Sequence, residues 1–193
     1  MNKDLSGEIT AQISYIFGKI KSLILFIIIA VSIGLTVADF IGRPGIIVGS
    51  SMSPTLRDGD VVIFESITPR FGKIEQGDIV SLRIPEILGG KNRKFAVKRV
   101  IATENQHIEI RDGKVFVDGL VLIEDYANNV ETQIDNTLYS DMIVPEGCVY
   151  VIGDNRLPEE SYDSRAFGPI KEDRITGKCW IRIYPFTRVG VVK

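Results

Sequence analysis

The sequence predicts an all-β, barrel-like body behind one N-terminal transmembrane helix. Three observations predict it. Residues 22–38, SLILFIIIAVSIGLTVA, carry no charge. Beyond them the chain breaks into short runs with strand alternation, separated by turn residues. Long helical periods are few in that part. With 193 residues, 45% of them apolar, the chain holds one membrane segment and one globular body of about 155 residues.

The apolar run comes first. Seventeen residues is the short end for a membrane-spanning helix. Lys19 and Lys21 precede it, and their stems lengthen the usable span by snorkelling. A cleaved secretory signal is the alternative. The run exceeds a typical apolar signal core, and Gly34-Leu35-Thr36-Val37-Ala38 is a mediocre cleavage motif. A buried core helix fits less well, because no polar face is left. Lys3, Lys19 and Lys21 favour a cytoplasmic N-terminus. The expected division is therefore a cytoplasmic segment at 1–21, an anchor at 22–38 and an extracytoplasmic β-rich domain at 39–193.

The strands follow in order. Residues 61–64, VVIF, sit between Asp58-Gly59-Asp60 and Ser66. Residues 78–84 alternate after Gly77 and stop at Pro85. Residues 95–101 carry Lys98, and residues 107–111 alternate again. Asp112-Gly113 turns the chain tightly into residues 115–117, and Asp118-Gly119 turns it once more. Residues 148–152 and 178–183 complete the set. Residues 124–141, rich in Asn, Asp and Thr, read as a long excursion or flexible edge.

Composition excludes some chemistry. A formal charge of -2 leaves no basic field for nucleic acid. No metal-ligand spacing is present, and no cofactor motif. Cys148 and Cys179 stand 31 residues apart in apolar runs and read as two buried free thiols, with a disulfide as the alternative. The single histidine, His107, leaves a Ser-His-Asp site almost without material.

A serine can instead be activated by a neutral lysine. Strand alternation puts Ala96, Lys98 and Val100 on one face, an apolar stripe holding one amine, with Arg99 on the other. Burial there lowers an amine pKa from its ordinary value near 10.4. A lysine snorkelling from an exposed strand has the same pattern. Ser51 lies in Gly49-Ser50-Ser51-Met52-Ser53-Pro54-Thr55-Leu56, where glycine permits close approach and Pro54 stiffens the chain. Backbone N–H groups of such a turn can bind an oxyanion. The segment also fits a helix start with Ser53 as N-cap and Pro54 after it. Chemistry alone leaves Ser50 and Ser53 open as nucleophiles.

The motifs together resemble those of the bacterial type I signal peptidases, membrane-bound Ser/Lys endopeptidases. Residues 51–56 look like the nucleophile box, and Gly59-Asp60-Val61-Val62-Ile63 like the strand after it. Lys98-Arg99-Val100 is similar to the general-base box. Gly153-Asp154-Asn155-Arg156, then Asp163-Ser164-Arg165 with Gly168, resemble the last box. Residues 112–119 look like the hairpin between them. The resemblance spans about residues 20–185.

It implies a fold shared with self-cleaving repressors, a signal-peptidase/LexA-like β-barrel type. It implies Ser51 as nucleophile, Lys98 as general base and the Ser51 backbone N–H in the oxyanion hole. Ser161 would orient the lysine amine. Arg99, Asp154, Asp163 and Arg165 would form ion pairs that fix the surrounding loops, and Met52 would pack near the dyad. The implied reaction removes N-terminal signal peptides from exported preproteins, after small residues of the Ala-x-Ala type. The implied partners are signal peptides, the lipid bilayer and a nearby export translocon. The implied location is the bacterial plasma membrane, crossed once.

Three departures stand out. Ile101-Ala102-Thr103-Glu104-Asn105 replaces the family's Gly-x-Pro-Gly-Asp. Six residues, Leu157 to Tyr162, separate Arg156 from Asp163, two more than usual. Gly49 stands where some relatives have a serine donor to the oxyanion. Two rival readings are a self-cleaving repressor-type protease and a membrane-tethered, non-catalytic module. The distance from Ser51 Oγ to Lys98 Nζ discriminates between enzyme and module.

Overall fold

The computed structural model describes residues 2–84, 95–127 and 130–192, with backbone alone for 2–11 and 37–41. Two compact units divide it, Met1–Phe40 and Ile41–Lys193.

The first unit is one helix, α1 (Asn2–Ile41). Within it Gln12–Thr36 is strongly apolar, and none of it is buried. Twenty-five residues rise about 38 Å, enough for a hydrocarbon core of about 30 Å. Among the described residues it is the one helix long and apolar enough to cross a membrane. The helix extends beyond the charge-free run on both sides, so Lys19 and Lys21 lie inside it. Lys19 Nζ sits 4.8 Å from the ring centre of Tyr15, four residues earlier on the same face.

The second unit is built of antiparallel strands: β1 (Arg43–Ile46), β2 (Val61–Glu65), β3 (Ile79–Arg83), β4 (Phe95–Ala102), β5 (His107–Arg111) and β6 (Lys114–Val117). There follow β7 (Leu120–Val121), β8 (Asp141–Ile143), β9 (Cys148–Ile152), β10 (Ile170–Lys171), β11 (Ile175–Tyr184) and β12 (Gly190–Val191). The larger sheet runs β1-β2-β11-β3-β4-β9-β10, with β12 on β11; the smaller runs β7-β6-β5-β8. The all-β expectation holds. The larger sheet is an open path ending at β1 and β10, so no closed barrel forms among the described residues. Register shifts in β11, such as that between Ile175 and Gly177, bend and twist it as bulges do.

Alternation explains the core. Val80, Leu82, Val100, Val149 and Val151 face one apolar cluster. Ile101, Tyr150 and Ile152 meet Ile108, Ile110 and Val115 of the smaller sheet in a second. A fully buried side chain of this size contributes about 1.5–3 kcal/mol. Both Asp-Gly turns form as expected. Asp112 and Gly113 have φ of 49° and 72°, and Asp118 and Gly119 have 51° and 77°. Positive φ at both central residues matches the twist of the flanking strands.

The excursion between β7 and β8 is tied down at several points. Thr132 donates its N–H to Gly113 O at 2.8 Å and is buried. Glu124 and Thr132 both bind Arg156. Pro85, the expected end of the second strand, lies outside the described residues. Both cysteines are free; Cys179 is buried and Cys148 half-buried. Burial pushes the Cys179 thiol up to about 12, which keeps it protonated and inert.

Candidate active site

Lys98 lies on β4, opposite Val80 of β3, and β4 pairs with β9 from the next residue onward. Its neighbour Arg99 pairs with Ile152, the last residue of β9. The chain leaving β9 therefore runs through Gly153 and Asp154 directly beside the lysine. The Ser51 turn lies between β1 and β2. Ile47 N–H donates to Asp60 O at 2.8 Å and Gly59 N–H to Ile47 O at 2.9 Å, closing the base of that loop. Met52 and Leu56, 1% and 0% exposed, plug it into an apolar cluster with Ile47, Val62 and Ile79. Met52 is thus a core side chain directly after Ser51. No helix starts at Ser53; residues 51–55 are a turn, with a cis Ser53–Pro54 bond.

Of the three serines in this turn, Ser51 is the one that meets the lysine. Lys98 Nζ donates to Ser51 Oγ at 2.8 Å. The Lys98 side chain is only 4% exposed. Burial lowers its pKa from 10.5 to about 8; Asp163 and then Asp154 oppose this, while Arg165 adds to it. Among the described residues the Ser51 N–H has no hydrogen-bond acceptor. His107 lies on β5, its Nε2 2.7 Å from Asp141 Oδ1, in the other sheet.

Two ion pairs involve residues next to this Ser51–Lys98 pair in the fold. Arg99 donates from Nε and Nη2 to the two oxygens of Asp154 at 2.8 and 2.7 Å, and from Nη1 to Gly77 O at 2.9 Å. Asp163 is fully buried. It accepts from Arg165 Nε at 2.8 Å, Arg165 Nη2 at 2.9 Å, Ser161 Oγ at 2.6 Å and Gly153 N–H at 3.0 Å. Burial alone would push its carboxyl up. The Arg165 bonds and charge, with Ser161 and Gly153, outweigh that and hold it below the usual range. Ser161 is buried within this cluster and gives its proton to Asp163. No hydrogen bond joins Ser161 to Lys98 among the described residues.

Gly153 explains how closely these loops meet. A Cβ there would lie 2.3 Å from Ser161 Oγ and 2.4 Å from Ser51 O. The second contact is with backbone and cannot be relieved by a rotamer change. Gly153→Ala is expected to displace the Ser51 turn, to cost about 1–3 kcal/mol in stability and to lower turnover more than tenfold by order of magnitude. Thermal unfolding and cleavage kinetics check this; wild-type turnover would show that the turn tolerates displacement.

Sequence reasoning missed several partners. Arg156, 1% exposed, donates from Nε to Gly153 O at 2.9 Å, from Nη1 to Glu124 Oε2 at 2.9 Å and from Nη2 to Glu124 Oε1. Asn155 N–H donates to Ser51 O at 3.0 Å. Glu160 accepts from Ser50 Oγ. The four-residue motif around Arg156 was visible, but Glu124 is 32 positions away and carries no periodic signal.

The family model "Signal peptidase, peptidase S26" matches residues 20–184. The chain belongs to the signal peptidase family, peptidase S26. The family match extends across both the apolar helix and the Ser51–Lys98 site. Signal peptidase I T of Bacillus subtilis is 33% identical over 175 residues, 86% of either chain. Signal peptidase IB of Staphylococcus aureus strain Mu50 is 35% identical over 178 residues, 85% of this chain and 89% of its own. Thylakoidal processing peptidase 1 of Arabidopsis thaliana is 34% identical over 83% of this chain, which spans less than half (47%) of that protein. A crystal structure of a signal peptidase I from Enterococcus faecalis aligns at 30% identity, with TM-score 0.42, over 55% of this chain and 96% of its own.

Proposed function

We propose that this signal peptidase family member is a serine endopeptidase that removes signal peptides from exported preproteins. One observation carries the mechanism: the 2.8 Å hydrogen bond between Ser51 Oγ and the buried Lys98 amine. Neutral Lys98 takes the Ser51 proton as Oγ attacks the scissile carbonyl. The Ser51 N–H, left without an acceptor among the described residues, stabilises the oxyanion. Charged Lys98 then protonates the leaving amine, and water activated by Lys98 hydrolyses the acyl-enzyme. Asp163 and Arg165 fix the loop bearing Ser161, whose oxygen orients the amine during the cycle. Arg99 and Asp154 brace the strand carrying Lys98. The cut falls after small residues.

The anchor spans the bacterial plasma membrane once, with its lysine-flanked N-terminus cytoplasmic and the β body outside. There the site meets signal peptides embedded in the bilayer, close to the export translocon. Protease added to intact cells is expected to digest the body; full protection would reverse the orientation.

The test is cleavage of a secretory preprotein by the detergent-solubilised full chain, with the product N-terminus sequenced. At a pKa of about 8, roughly one Lys98 in ten is neutral at pH 7. The rate is expected to rise about tenfold per pH unit below that value and to level off above it. Uncut precursors with folded protein would overturn the activity; a flat profile from pH 6 to 9 would overturn the role of neutral Lys98.

A further inference from the structure

The loop after Asn155 turns back on itself towards the serine turn. Asn155 Oδ1 accepts the Leu157 N–H at 3.3 Å, and Leu157 O accepts the Glu160 N–H at 3.3 Å. Glu159 adopts φ of 63°, the left-handed bend that allows the return. Beyond Glu160 the chain is pinned at once by buried Ser161 and Asp163. The Glu160 carboxylate thus arrives at the residue before the candidate nucleophile. Its Oε2 accepts from Ser50 Oγ and from Asn155 Nδ2 at 3.4 Å. Asn155 Nδ2 also donates to Ser50 O at 3.1 Å, and the Asn155 N–H to Ser51 O at 3.0 Å.

We infer that Glu160, acting through Ser50 and Asn155, is a positioning residue that clamps the backbone on either side of Ser51. A hydroxyl has one proton to give. Ser50 gives it to Glu160, so Ser50 is not the side-chain oxyanion donor that Gly49 lacks; it is a tether. An anionic acceptor makes that tether stronger than a neutral pair. Holding Ser50 O and Ser51 O keeps Oγ and the Ser51 N–H in register with the Lys98 amine. A misplacement of about 1 Å at such a centre costs about a hundredfold in rate. The inference rests on Ser51 being the nucleophile.

The experiment uses the solubilised full chain with Glu160→Ala, Ser50→Ala, the double variant and Glu160→Gln. Each alanine variant is expected to lower kcat about tenfold with KM changed less than about twofold. The double variant is expected to fall no further than either single one, because both remove one tether. Glu160→Gln keeps an acceptor for Ser50 and is expected to retain kcat within about threefold. Additive losses, or unchanged kcat in Glu160→Ala, overturn the inference. So does a loss confined to KM that depends on a basic substrate residue near the cut, which would make Glu160 a substrate contact. Hydrogen exchange of the Asn155 amide decides the clamp separately from catalysis. It is expected to quicken in Glu160→Ala, and unchanged protection overturns the clamp even if the wild type cleaves nothing. Wild-type inactivity with Asn155 exchange quickened would instead strike the nucleophile reading and leave the clamp standing.

Discussion

Ser51→Ala and Lys98→Met are each expected to lower preprotein cleavage by at least about a thousandfold, with the fold intact. Ser51→Ala removes the oxygen proposed to attack. Lys98→Met keeps the length and apolar stem of the side chain but removes the amine that donates to Ser51 Oγ. Because the two residues act as a unit, the double variant is expected to be no slower than either single one. Stability separates catalysis from structure. The folded Lys98 pKa of about 8 lies below its ordinary 10.5, so between those values the unfolded chain binds more protons. Wild-type stability therefore rises with pH across that window, and below about pH 8 the buried charge carries its full cost. Lys98→Met is expected to lose this rise and to be no less stable than wild type at pH 7. Cleavage within tenfold of wild type in either single variant would sink the dyad.

Glu124→Ala is expected to destabilise the β body by about 3–5 kcal/mol, because it leaves the buried Arg156 charge without its carboxylate. Glu124 binds two guanidinium nitrogens of Arg156 and accepts from Tyr126 OH at 2.8 Å. With Glu124 gone, Arg156 retains Gly153 O and Thr132 Oγ1, both neutral acceptors. The midpoint of thermal unfolding should fall by on the order of 10 °C. Glu124→Gln keeps one acceptor and is expected to lose less. Arg156 also holds Gly153 O, so cleavage should fall together with stability in Glu124→Ala. A loss below about 1 kcal/mol would mean that the arginine is solvated by another route.

Much of the fold is legible in short stretches of sequence. The runs at 61–64, 95–101, 107–111 and 148–152 form strands β2, β4, β5 and β9 to within a residue or so. Each has period-two alternation or a continuous apolar run bounded by turn residues. Short edge strands β1, β7, β10 and β12 were not legible, because two to four residues carry too little pattern. Residues 124–141, rich in Asn, Asp and Thr, read as a long excursion or a flexible edge. Among the described residues, Glu124 and Thr132 are held there by Arg156 and Gly113, at distant positions in the chain. Cys148 is only half-buried although its run is apolar, since it opens a strand near the sheet edge.

Motif and spacing likewise brought Ser51 and Lys98 to notice, but not their geometry. Residues 49–53 offer three hydroxyls within four positions, all chemically alike. The fold distinguishes them: Ser50 turns to Glu160, and Ser51 turns to Lys98. Ser161 was expected to address the lysine; its hydroxyl proton goes to Asp163, two residues on.

The sequence by itself determined the apolar helix, the main strands and both Asp-Gly turns. These depend on residues near one another in the chain, whose dihedral preferences and side-chain period act locally. Tertiary structure alone decided which serine meets the amine, how far burial lowers that amine, and which carboxylates hold Arg99, Arg156 and Arg165. Those outcomes depend on groups up to 110 positions apart, as Ser50 and Glu160 are. Only sheet pairing and the desolvation of the closed core bring such groups together.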